Sequence, residues 1–135
     1  MNKKDKITYI SNWIKGYAVS INKNPTTLVI GVSGGVDSAL TSTLCAHTGL
    51  KTIAVSMPIK QNSSQHDLSL RHLEFLDQNY PNVETKIVEL DNVFQTFQNT
   101  MQNFDSELAF ANSRSRLRMV TLYPVSYTHL TLPTI

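Results

Sequence analysis

The residues of this chain whose types and spacing could do chemistry lie in one run, Gly31-Val32-Ser33-Gly34-Gly35-Val36-Asp37-Ser38. Apolar Thr27-Leu28-Val29-Ile30 precedes it, and a helix-like run from Ala39 to His47 follows. The two adjacent glycines remove side chains, so backbone N–H groups can approach an anion closely. A following helix presents its N-terminal amides and the positive end of its dipole to the same anion. Ser33 and Ser38 add hydroxyls, and Asp37 adds a carboxylate that would repel bare phosphate. A cation must therefore sit between Asp37 and the anion. Mg²⁺ fits, because one or two carboxylates plus substrate phosphates are its usual holders.

Other glycine-rich sites fit less well. A Walker A loop needs Gly-Lys-Ser/Thr where Asp37-Ser38 stands, and the dinucleotide fingerprint needs a glycine where Ser33 stands. Gly31-Val32-Ser33-Gly34-Gly35 also satisfies Gly-x-Ser-x-Gly, the nucleophile elbow of α/β-hydrolases, with Ser33 as nucleophile. That chemistry needs an oxyanion loop from an earlier strand, then an acid and a histidine downstream. Only one helical run precedes this strand, and the last histidine is His129, close to the end. A ligand-free βα turn is the plainest alternative, but two serines and an aspartate exceed what a turn requires.

These residues need a scaffold. The 135 residues allow one domain with a modest core, and 41% hydrophobic with 16% charged residues suits a soluble globular protein. No apolar run approaches the length of a membrane span, and the polar start Met1–Lys6 leads into an amphipathic segment rather than a secretory h-region. A cytoplasmic location is the expectation. The single Cys45 excludes an intramolecular disulfide and reads as a helix packing residue. A net charge of +2 is smaller than nucleic-acid binders usually carry, so no nucleic-acid partner is expected.

Ile7, Ile10, Trp13, Ile14, Tyr17, Ala18 and Ile21 recur at helical spacing and predict an amphipathic helix over 5–22. Its stripe, with Trp13 and Tyr17, belongs in the core or at a subunit contact. Asn24-Pro25 ends it, and strands follow over 27–32, 52–57 and 84–90. Between them come a helix over 39–47 closed by a left-handed Gly49, then a polar loop Lys60–Gln65 and a helix over 65–79 capped by Ser64. Leu68, His72, Leu73, Phe75 and Leu76 should face inward. Asp91 should cap a short helix burying Val93, Phe94, Phe97 and Met101, and a last helix should run from Asp105 or Ser106 to about Tyr123. His66 and His72 lie six apart, not at the spacing of a metal pair. A short strand–helix–strand connection forces parallel strands, so the ligand crevice falls at their carboxyl ends.

Ser33-Gly34-Gly35-Val36-Asp37-Ser38 matches the Ser-Gly-Gly-x-Asp-Ser signature of the ATP pyrophosphatases. Within that group the chain most resembles the ammonia-dependent NAD synthetases, through Val55–Ile59 and Ala111–Met119 as well, over about residues 3–123. The resemblance implies an α/β fold, a parallel sheet flanked by helices of the adenine nucleotide alpha hydrolase-like, Rossmann-like kind, here truncated. It implies ATP as co-substrate, held by Gly31, Val32, Ser33, Gly34, Gly35, Val36, Asp37 and Ser38, with Met57 at the purine and Mg²⁺ on Asp37. Arg116 falls where the family holds its dinucleotide. Deamido-NAD and ammonia are the implied substrates, and a homodimer the implied assembly. Alternatives stay open at two of these positions. Met57 also reads as a buried strand-end residue, and Arg114, Arg116 and Arg118 also read as a solvated face, since arginines two apart point in different directions on a helix. Ser56 stands where many members carry arginine.

The likeness stops at Pro124. Residues 124–135 read as an unrelated tail, where a complete synthetase would continue into another strand and helix with a second acidic metal ligand. Two other functions fit the loop: an adenylating ligase or thiolase acting on tRNA or a small acid, and a non-catalytic nucleotide-binding module.

Overall fold

The computed structural model of the protein describes residues 1–21, 26–59, 63–104 and 106–129. The expected turn at Asn24-Pro25, the loop residues Lys60–Asn62, a helix start at Asp105 and the tail from Leu130 onward lie outside them. The elements in order are α1 (Lys3–Ile21), β1 (Thr27–Gly31), α2 (Val36–His47), β2 (Lys51–Ser56), α3 (Ser63–Asn79), β3 (Val83–Ile87), α4 (Asp91–Thr100) and α5 (Glu107–His129). A single 3₁₀ turn, Gln102–Phe104, separates the last two helices.

The apolar run in β2 has no polar face to offer water, and the fold buries it on both sides. β2 is the middle strand of a three-stranded parallel sheet in the order β1-β2-β3, with Val29 opposite Ile53 and Ile53 opposite Glu84. Successive side chains point to opposite faces. Ile53 and Val55 therefore meet Leu90, Phe94 and Phe110 on one side, while Ala54 meets Ala46, Leu73, Leu76 and Val83 on the other. α2 and α3 cover the second face; α4 and α5 cover the first. This is the expected α/β sheet flanked by helices. Edge strand β3 carries Glu84 between Lys51 and Lys86, at 3.7 Å and 3.1 Å, a charged rim that discourages pairing with another chain.

Several expected faces shift. α1 does not bury its aromatic stripe: Trp13 is 60% exposed and Tyr17 58% exposed, stacked on each other at 5.3 Å. The helix rests on α2 instead, through buried Ser11 and half-buried Ile14 and Ala18, so its larger apolar residues turn away from the sheet. On α3, Leu68 and Phe75 are exposed, and Ser69 takes the inward position with Leu73 and Leu76. α3 also begins at Ser63, which puts Ser64 inside the first turn rather than at the cap. On α4, Phe94 is fully buried while Val93 and Phe97 remain exposed, and Leu90 rather than Asp91 occupies the cap. Ten residues of α4 present too narrow a face to the sheet to cover all three apolar side chains.

α5 runs past Tyr123 to His129 with Pro124 inside it. Pro124 lacks the amide that would continue the ladder. Leu117, Leu122 and Val125 nevertheless pack against the same core as Phe94, and that burial holds the helix together through the missing bond. Phe94 is the hub of this face, edge-on to Phe110 at 6.2 Å. Phe94→Ala should destabilise the chain by about 3–5 kcal/mol, read as a lower midpoint in urea unfolding.

Candidate functional site

Two strand ends and one helix start meet at the carboxyl edge of the sheet. The β1–β2 ladder extends one residue beyond β1, with the Val32 amide donating to the Val55 carbonyl at 2.8 Å. The chain then turns through Ser33-Gly34-Gly35 into α2, whose cap is Gly35 with no side-chain hydrogen bond. The helix begins at Val36, three residues before the expected Ala39, so Asp37 and Ser38 lie in its first turn. Their amides have no acceptor within the helix, and the uncapped start leaves them directed at whatever the loop holds.

The loop is shaped by its own hydroxyls. Ser38 Oγ accepts from the Ser33 amide at 3.1 Å and donates to the Gly35 carbonyl at 3.2 Å. Ser33 Oγ lies 3.1 Å from Ser38 Oγ and accepts from the Gly35 amide at 3.2 Å. Gly34 has φ +95°, and a Cβ there would collide with the Gln65 carbonyl oxygen of α3. Only glycine satisfies both conditions. A Cβ on Gly31 would meet the Met57 methyl at 3.1 Å, so the glycine lets Met57 lie across the strand end. Met57 itself is buried.

Gly31, Val32 and Ser33 share a cavity of about 290 Å³ with Met57, Arg118, Met119 and Leu122. Arg118 reaches it from α5 and donates from Nε to the Met57 carbonyl at 3.0 Å. Burial, and secondarily the nearby Arg114 charge, lower its pKa. Arg114 itself sits 5.5 Å above the Phe94 ring. Arg116 goes elsewhere: it is exposed, in a groove of about 390 Å³ where Val93 and Phe97 of α4 face Ser113 and Leu117 of α5. The three arginines thus diverge as their spacing requires, and Arg118, not Arg116, joins the loop. Phe110, Arg114, Leu117, Arg118, Leu122 and Val125 form the inward stripe of α5. That helical period was the signal in the sequence that separates Arg118 from Arg116.

The Asp37 carboxylate is exposed and has no hydrogen bond or ion pair among the described residues, and no group of three or more metal-ligating side chains occurs there. A lone carboxylate beside the glycine loop fits Mg²⁺, which takes most of its ligands from phosphate and water. The hydrolase alternative finds its residues engaged differently. Ser33 serves the loop, while His72 Nε2 is 2.8 Å from the buried Ser42 hydroxyl and His47 packs edge-on against Tyr80. Ser56, at the position where arginine is frequent, is buried against Ser69 Oγ at 3.1 Å and stays out of the cavity.

A glycine loop entering an uncapped helix at the carboxyl edge of a parallel sheet defines a Rossmann-like α/β domain. The particular lineage follows from its sequence: the chain belongs to the NAD synthase family, whose model matches residues 6–133. It is 34% identical over 133 residues to the NH(3)-dependent NAD(+) synthetase of Mesoplasma florum, covering 96% of this chain and 52% of that protein. Among solved structures, NMN synthetase from Francisella tularensis superposes with a TM-score of 0.79 at 29% identity, covering 96% of this chain and 52% of that one. NH3-dependent NAD synthetase from Campylobacter jejuni, in complex with the nitrate ion, gives 0.78 at 30% identity, over 95% and 53%. The chain spans about half the length of the relatives it matches.

Two outcomes follow from this geometry. Gly34→Ala should lower stability by roughly 1–3 kcal/mol, because the new methyl is strained at positive φ and pushes α3 off the loop; a thermal melt reads it. His72 supplies the second. The Ser42 hydroxyl lies 2.7 Å from the Ser38 carbonyl and 2.8 Å from His72 Nε2, so the ring is tied to α2 by a hydrogen bond. Desolvation lowers the His72 pKa, partly offset by the Ala39 carbonyl. The folded chain thus binds fewer protons than the unfolded one just below pH 6.5, the ordinary histidine value. Stability should be full above that pH and fall as pH drops through it, and His72→Gln should flatten this dependence in urea midpoints taken from pH 7.5 to 5.

Proposed function

We propose that this chain carries the ATP-binding part of an ammonia-dependent NAD synthetase, an enzyme that amidates deamido-NAD to NAD. The observation that carries the reading is the Ser-Gly-Gly-x-Asp-Ser loop standing at the carboxyl edge of a parallel sheet in a member of the NAD synthase family. The chemistry explains the parts. A carboxylate does not exchange its oxygen for ammonia unaided, because the leaving group is poor. The nicotinate carboxylate would attack the α-phosphorus of ATP, and pyrophosphate would leave. Ammonia then attacks the acyl adenylate and AMP departs with the carboxylate oxygen.

No nucleophilic side chain is required, so the protein supplies position and charge neutralisation. The backbone and hydroxyls of Ser33, Gly34, Gly35 and Ser38 hold the pyrophosphate, with Gly31, Val32 and Val36 completing the loop and Met57 closing the purine side. Asp37 would hold Mg²⁺, whose charge would offset that of the phosphates. Arg116 takes the pyridine-bearing substrate from the groove between α4 and α5, since a guanidinium grips phosphate in a bidentate manner. A homodimer belongs to the same reading, supported by the exposed Tyr9, Trp13 and Tyr17 of α1. A cytoplasmic setting suits it too, and no described helix is long and apolar enough to cross a membrane.

The test is a product assay on the complete enzyme of which this chain forms the ATP-binding part, with ATP, Mg²⁺, ammonia and a nicotinate nucleotide. AMP and NAD should appear one for one with deamido-NAD, and Asp37→Ala should abolish both. The Francisella likeness makes the mononucleotide the informative comparison, and amide formation on it alone would shift the substrate. AMP release only with tRNA would assign a different ligase. Binding of Mg-ATP without AMP would leave a nucleotide-binding module.

A further inference from the structure

Arg118 is the cation of this fold that its own packing leaves unexplained. It crosses from α5 to the end of β2, is partly buried, and spends Nε on the Met57 carbonyl at 3.0 Å. Guanidinium carries five N–H donors, so four remain on its two amino groups. Among the described residues no carboxylate pairs with it; the ion pairs found there join Glu84 to Lys51 and Lys86. The charge of Arg114 acts on it unfavourably, which makes its own charge harder to hold. An unpaired, partly desolvated cation is costly unless something neutralises it. The space it lines is shared with Gly31, Val32 and Ser33, the entry to the glycine loop, and with Met57.

We propose that Arg118 is the anion clamp of this cavity: Nε–H fixes the Met57 carbonyl while the amino groups grip the phosphate chain of an adenine nucleotide seated against Gly31–Ser33. The role rests on the nucleotide-binding reading given above. It accounts for the residue type, because a lysine has no second arm to tie β2 while holding phosphate. It also separates the tasks of the arginine cluster, with Arg118 on the nucleotide side of α5 and Arg116 in the groove against α4.

The test is calorimetric titration of the full chain with ADP and with inorganic pyrophosphate, for wild type, Arg118→Gln and Arg118→Lys, alongside thermal melts. Glutamine keeps an N–H donor for Met57 but loses the charge, and lysine keeps the charge but loses the fork. The glutamine variant should bind ADP roughly 10- to 100-fold more weakly while melting near wild type, and the lysine variant, which keeps the charge without the fork, roughly 3- to 10-fold more weakly. ADP affinity unchanged in the glutamine variant would overturn the role, as would lysine weakening binding more than glutamine, the pattern of a purely structural tie to Met57. If the glutamine variant does not fold, lysine decides: a roughly 3- to 10-fold loss supports the clamp and no loss overturns it. Wild type that binds neither probe would instead withdraw the nucleotide reading, while wild-type binding with unaltered variants removes only Arg118 from it.

Discussion

The close approach of Gly34 to the Gln65 carbonyl is the constraint on which the rest of the site depends. The loop must reverse direction between β1 and α2 while α3 presses on it from outside, and a Cβ at Gly34 has no room. Backbone in the left-handed region completes the turn, and the Ser33 and Ser38 hydroxyls pin its shape. The loop amides are therefore fixed by the fold itself, and under the nucleotide-binding proposal that is the condition for electrostatic stabilisation without reorganisation. α3 is held in that position by its inward stripe: Leu73 and Leu76 lie against Ala54 of β2, and Ser69 against Ser56. Core packing on one face of the sheet thus sets the geometry of a loop at its edge.

The opposite face does a different job. Ile53, Val55, Leu90, Phe94 and Phe110 anchor α4 and α5, and the inward stripe of α5 carries Arg118 to the end of β2. The same helix turns Arg116 outward into the groove facing α4. One helix so divides two positive charges between two concave surfaces only two residues apart in sequence. The cost is a half-buried flank where Arg114 and Arg118 sit near each other, eased by the Phe94 ring beneath Arg114.

Buried hydroxyls tie these layers together with little volume. Ser42 bonds α2 to His72 of α3, Thr52 Oγ1 reaches the Cys45 carbonyl at 3.3 Å, and Asn82 Nδ2 donates to the carbonyls of Ala46 and Leu50 at 2.9 and 2.7 Å. Asn82 closes the end of α2 where left-handed Gly49 turns the chain into β2. Each such bond contributes about 1 kcal/mol, but leaving its buried partner unpaired costs more, so these positions specify how helix and sheet dock.

The parallel α/β architecture, the glycine loop and the family were all legible in the sequence. Those rest on local rules: apolar runs of strand length, glycine where no side chain fits, and a motif whose residues are contiguous from Ser33 to Ser38. It also placed the turn at Gly49, since positive φ is a local demand. Only the tertiary structure decided which apolar faces are covered. Trp13 and Tyr17 have the period of a core stripe yet lie exposed, because α1 meets α2 and not the sheet. Val93 and Phe97 line a groove for the same kind of reason. The helical period puts Arg116 and Arg118 on different faces of α5, but which of the two turns to the loop was likewise beyond the motif. It depends on how α5 is rotated about its axis, and that rotation is set by Phe110, Leu117 and Val125 packing on strands far away in sequence.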